Sequence, residues 1–115
     1  MHMIDWNTYR GQVTAGVGGL ARLSPDTVKG YGQLGQANAR TGSLGAKMHE
    51  LIALAVAISL RCDGCIATHT AEAKKAGATK QEIAEALGVA VSVNAGAAIV
   101  YSARALDALD ALNES

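Results

Sequence analysis

Between Leu51 and Leu60 the chain reads LIALAVAISL, a run in which Ser59 is the only polar side chain. An element that is apolar on every face has to be enclosed by its neighbours, whatever its backbone does. A buried strand is one solution. Ala53, Ala55 and Ala57 favour helix, and residues 46–50 extend the segment beyond the length of an ordinary strand. The sequence therefore predicts a main helix over 46–60, surrounded on all sides.

The material available to surround it is unusual. Half of the residues are hydrophobic, yet only Trp6, Tyr9, Tyr31 and Tyr101 are aromatic and there is no Phe. Core volume must come from Ala, Val, Leu and Ile, whose small size suits close-packed helices. Trp6, Tyr9 and Val13 share one face of a first helix over 5–16, weakened at Gly16, Gly18 and Gly19. Ser24-Pro25-Asp26 starts a second: serine caps free N–H groups, proline fits the first turn, and aspartate suits the positive end of the dipole. Val28, Tyr31 and Leu34 continue its apolar face, although each of Gly30, Gly32 and Gly35 costs about 1 kcal/mol relative to alanine.

Thr41-Gly42-Ser43-Leu44-Gly45 is the clearest break before the main helix. After it, a fourth helix is expected over 63–76, stopped by Gly77. Thr79 and Glu82 have capping-box spacing and open a fifth, with Ile83, Leu87 and Val91 on its buried face. Asn94-Ala95-Gly96 is read as an interruption, and a last helix over 97–112 repeats Ile99, Ala103, Leu106 and Leu109. No repeat or linker divides the chain. The expectation is one compact all-α domain, 1–115, of about six helices.

Ten basic and ten acidic side chains cancel, so no net positive field draws nucleic acid or an anionic membrane to the protein. The run 51–60 is about half the length that crosses a bilayer, and no basic flank with a cleavage site precedes it. A soluble, cytoplasmic protein is expected. In that compartment a close cysteine pair points to catalysis or metal binding rather than to a structural staple.

Both cysteines lie in the stretch RCDGCIATH, Arg61 to His69. At about 100° per residue, Cys65 and His69 differ by roughly 40° around a helix axis, and Cys62 and His69 by roughly 20°. All three are expected on one face. Thiols so placed close a disulfide with little backbone movement, and free N–H groups at a helix start stabilise a thiolate. An imidazole one turn away accepts or relays the proton. Glu50, at the edge of the apolar run, is partly desolvated on this reading and is a candidate general base.

Each residue also has a plainer reading. Glu50 fits a solvated first-turn glutamate, and His69 and His49 fit ordinary polar helix positions. Three alternative functions stay open: a metal module using Cys62, Cys65 and His69 with Glu50 as the only available fourth ligand, a non-redox enzyme, and a structural helical oligomer with inert thiols.

The order Lys47-x-x-Glu50-Leu51-Ile52-Ala53-Leu54-Ala55-Val56, then Cys62-x-x-Cys65-x-x-x-His69, then Ala73-x-x-x-Gly77-Ala78-Thr79-x-x-Glu82-Ile83 resembles the alkylhydroperoxidase D-like branch of the carboxymuconolactone decarboxylase superfamily. The likeness covers about Leu44 to Ala111. It implies an all-helical subunit that forms trimers or hexamers, and a thiol peroxidase acting in antioxidant defence without metal or flavin. The substrate would be an organic hydroperoxide, and a cellular dithiol would return the electrons. By the same likeness Cys65 is the peroxidatic cysteine, Cys62 resolves, and Glu50 and His69 form the proton relay. The residue before the second cysteine is histidine in the best-known members and Gly64 here. Plain decarboxylases of the superfamily lack the cysteine pair. Helix-terminus electrostatics alone would favour Cys62 as the thiolate, whereas the local i to i+4 contact with His69 favours Cys65.

Overall fold

Asp5 begins the first helix, α1 (Trp6–Leu23), by accepting hydrogen bonds from the Thr8 amide at 3.1 Å and the Thr8 hydroxyl at 2.9 Å. In the computed structural model, which describes residues 1–114, α1 runs through all three of its later glycines rather than fraying at Gly16. Trp6, Tyr9 and Val13 are half-buried on one face, as their spacing requires. Ser24 then ends α1 and begins α2 (Pro25–Thr41). Its hydroxyl lies 2.7 Å from that of Thr27 and caps no backbone amide. The expected serine cap is therefore absent, and the fixed φ of Pro25 at the first helical position starts α2 instead.

Gly42, with φ 64°, closes α2, and α3 (Gly45–Leu60) follows. At its end Arg61 adopts the left-handed conformation, φ 54° and ψ 47°, the one such non-glycine residue among those described. That conformation costs a non-glycine residue about 1–2 kcal/mol. It reverses the chain within two residues, so α4 (Asp63–Lys75) starts at once and lies against α3. Gly77, with φ 87°, ends this segment as expected. The Thr79 hydroxyl accepts the Glu82 amide at 3.1 Å while the Glu82 carboxylate accepts the Thr79 amide at 2.9 Å, a complete capping box that opens α5 (Lys80–Ala111).

The sequence reading of two helices over 80–112 is corrected by α5, which is continuous, so the described residues form five helices and no strand. Asn94 does not break it. Its amide donates to the Ala90 carbonyl at 2.7 Å within the helix and to the Ser59 hydroxyl of α3 at 2.8 Å, which absorbs the polar group. Unbroken, α5 is by length and composition long and apolar enough to cross a bilayer.

The core forms where α3 packs on α4 and on the first half of α5, around Leu51, Leu54, Ala57, Ala67, Ala73 and Ala90. Leu54, 2% exposed, is its largest enclosed side chain. The buried face of α5 includes Ile83 and Leu87 but continues to Ala90, whereas Val91 turns to solvent. At the other end of α3, Lys47 donates to the second Glu82 oxygen at 2.8 Å. That ammonium, followed by the Thr79 amide, holds the Glu82 carboxyl at about 2 instead of its ordinary 4.5. α1 packs against α4 and carries α2 alongside it.

Beyond this core the fold is open. The enclosure on all sides expected for α3 is not found: Ile52, Val56 and Leu60 are 46%, 50% and 71% exposed, because no element among the described residues covers that face. Tyr31 and Leu34 of α2 are exposed as well, and after Ala90 no residue of α5 is buried. The radius of gyration is 18.8 Å, against roughly 13 Å for a compact domain of this length.

Candidate active site

The two-residue link Arg61-Cys62 sets the register of everything that follows. Cys62 is the N-cap of α4, with φ −99° and ψ 99°, and its sulfur accepts the backbone amide of Cys65 at 3.2 Å. Cys65 falls in the first turn. The Cα atoms stand 5.2 Å apart and the two sulfurs are joined as a disulfide. One further turn along, His69 projects toward α3, where Glu50 meets it: His69 Nδ1 lies 2.7 Å from Glu50 Oε2. Both side chains are partly buried, at 31% and 22% exposure. Glu50 is thus partly buried at the edge of the apolar run, and its partner is the histidine of the cysteine motif.

Cys65, His69 and Glu50 open into one cleft of about 640 Å³. Its floor is the apolar face of α3, with Ile52, Val56 and Leu60 among the contributors. Its far wall comes from α2 through Gly35, Asn38 and Thr41. Cys65 is one of the residues that line this cleft, and Cys62, bonded to it, is not. The sequence reading put all three side chains of the motif on one face. Cys62 itself sits at the cap with extended backbone, outside the helical residues to which the 100° rule applies.

Sequence reasoning missed two contributors. His49 was read as an ordinary helix residue, yet it lines the cleft beside Glu50. Asn38 carried no signal, since its place depends on α1 and α2 folding back as a pair. Gly64, the position between the cysteines where the resemblance expects histidine, lies under α1. A Cβ there would meet the two methyls of Val13 at 3.4 and 3.5 Å. The described residues offer no group of three or more His, Cys, Asp or Glu side chains spaced to hold a metal ion.

This arrangement can accept and release a proton at His69, steady the resulting charge with Glu50, and make or break one sulfur–sulfur bond beside an apolar cavity. Comparison with known proteins agrees with the pattern. Residues 25–108 match the carboxymuconolactone decarboxylase family. An uncharacterised protein of Haemophilus influenzae is 47% identical over 104 residues, 90% of this chain and 92% of its own. An uncharacterised protein of Cupriavidus necator is 32% identical over 109 residues, 95% of this chain and 96% of its own. Among solved structures, a carboxymuconolactone decarboxylase family protein from Legionella pneumophila, crystallised in its apo form, superposes with a TM-score of 0.73 at 33% identity, covering 89% of this chain and 91% of that one. The chain belongs to the carboxymuconolactone decarboxylase family, and its paired cysteines with Glu50 and His69 carry the alkylhydroperoxidase D-like pattern within it.

Proposed function

We propose that the protein is a thiol-dependent hydroperoxide reductase with Cys65 as the attacking thiol. The observation that carries this reading is the shared cleft: Cys65 lines the same cavity as the His69–Glu50 pair. A free thiol has a pKa of about 8.5, so a reactive one needs a neighbour that takes its proton. His69, held by Glu50, is that neighbour.

In the reduced protein the Cys65 thiolate attacks the terminal oxygen of an organic hydroperoxide. The O–O bond breaks, Cys65 becomes a sulfenic acid, and the alkoxide leaves as an alcohol with the proton that His69 had taken. The Cys62 thiol then condenses with the sulfenic acid, releasing water and forming the disulfide. A cellular dithiol reopens it by two exchange steps, itself becoming a disulfide. Cys62 is suited to leave first, because its sulfur accepts the Cys65 amide at the helix start, where negative charge is stabilised. The apolar floor of the cleft favours an organic substituent on the peroxide.

The test is thiol counting on reduced, metal-free protein before and after one equivalent of cumene hydroperoxide. Two thiols lost and one alcohol formed per subunit are expected. Two thiols retained after prolonged exposure would leave a non-redox enzyme of the same fold as the better account.

A further inference from the structure

The cleft beside Cys65 changes character along its length. Its lining residues ahead of Glu50 in the chain include Asn38, Thr41, Ser43 and His49, whereas every α3 residue that lines it after Glu50 is apolar. The change falls at the His69–Glu50 pair, so the two halves meet beside the group that handles the proton. At about 640 Å³ the cavity has the size of a small-molecule site.

The polar half is rich in donors open to an incoming acceptor. No described residue bonds the side chains of Asn38, Ser43 or His49, and the Thr41 hydroxyl is engaged with the Ala37 carbonyl at 3.2 Å. Asn38, Ser43 and His49 supply an amide NH2, a hydroxyl and, in either tautomer, a ring N–H. A carboxylate only accepts, through two oxygens, and matches such a set. An ammonium head finds no free partner, because Glu50 is the one acidic lining residue and is already paired with His69.

The position of the sulfur fixes where the reacting group sits. His69 is level with Glu50. Cys65 lies one turn nearer the Arg61-Cys62 link, about 6 Å along the axis for four residues at 1.5 Å each. From Glu50 the apolar floor continues to Leu60, about 15 Å by the same rise. The sulfur is therefore within the apolar half, with more floor on its far side. A ligand that fills both halves has its reacting oxygen between a polar head and a hydrocarbon tail.

We infer that this cleft takes an amphipathic hydroperoxide, an acyl chain whose carboxylate is seated among Asn38, Ser43 and His49 and whose peroxide is on an internal carbon, and that His49 sets the preference for the acid. Of the three donors His49 is half-buried and the other two are exposed, so water competes least for its bond. The inference rests on the hydroperoxide reading for the reaction, in which two thiols and the hydroperoxy acid give the disulfide, the hydroxy acid and water. The seating of head and tail does not rest on it, since the contacts that hold them are not the bonds that break.

Two measurements test the inference. With reduced protein, kcat/KM is compared for linoleic acid hydroperoxide, whose peroxide is on an internal carbon, and for its methyl ester. The acid should be favoured about tenfold, the worth of one hydrogen bond to a charged group. His49→Leu should abolish the preference through a higher KM for the acid, and His49→Gln, which keeps an N–H donor, should restore most of it. With oxidised protein, which has no thiol to react, dodecanoate should bind more tightly than methyl dodecanoate by calorimetry, and His49→Leu should remove that difference too. Circular dichroism checks the helicity of both variants. Equal kcat/KM for the two peroxides, or equal binding of dodecanoate and its ester, overturns the inference and leaves the hydroperoxide reading in place. Protein that consumes neither peroxide yet prefers dodecanoate when oxidised keeps the subsite and sinks the reading. A preference for the acid that His49→Leu retains in full overturns the assignment to His49.

Discussion

His69 Nδ1 and Glu50 Oε2 stand 2.7 Å apart although nineteen positions separate the two residues in the chain. The contact exists because the Arg61-Cys62 link turns α4 back along α3 within two residues. It joins the cysteine motif to the one carboxylate at the edge of the apolar run. Glu50→Gln keeps the size of the side chain but cannot accept a proton. Oxidation of the reduced protein by cumene hydroperoxide, followed by stopped flow, should slow roughly a hundredfold, the low end for a general acid–base group. His69→Ala should slow it similarly, and the double variant should lose far less than the product of the two. Wild-type rate profiles across pH in all three would remove both residues from the reaction.

The cysteines are separable by trapping. Cys62→Ser should hold a sulfenic acid on Cys65 after peroxide treatment, visible as a dimedone adduct by mass spectrometry. Cys65→Ser should give none. Adduct confined to Cys65→Ser would exchange the two roles and favour helix-terminus electrostatics over access to the cleft.

Glu82 makes a stability prediction with a defined pH window. Its carboxyl is held at about 2 by Lys47 first and by the Thr79 amide second, below its ordinary 4.5. A depressed folded-state value means the contribution is complete above the unfolded value and is lost as pH falls through the folded one. Glu82→Gln preserves the cap to Thr79 and removes the ion pair with Lys47. Urea midpoints of the wild type should exceed those of the variant at neutral pH, and the gap should close between 4.5 and about 2. Both groups are substantially exposed, so the gap should also shrink in high salt. A gap that widens on acidification would contradict the assignment.

Gly64 tests how α1 is seated. A Cβ at this position reaches ordinary contact with Val13, so Gly64→Ala should be neutral or stabilising by up to about 1 kcal/mol through reduced freedom of the unfolded chain. Gly64→Leu must displace Val13 and should cost about 1–3 kcal/mol. Val13→Ala combined with Gly64→Leu should recover part of that loss in thermal melts, whereas additive losses would mean that the two positions do not touch.

What the sequence determined by itself was local. Helix periodicity, the Thr79–Glu82 capping box, the stop at Gly77 and the adjacency of Cys62 and Cys65 depend on residues within a few positions of one another. Short-range geometry is nearly independent of the rest of the chain. The break expected at Asn94 shows the limit, since an asparagine ends a helix or sits within one according to whether a partner such as Ser59 is present to take its amide. The pairing of His69 with Glu50 and the lining of the cleft by Asn38 and His49 were decided only in three dimensions. Each depends on the angle at which one helix returns to another. That angle is set here by a single left-handed residue, Arg61, whose conformation no periodicity announces.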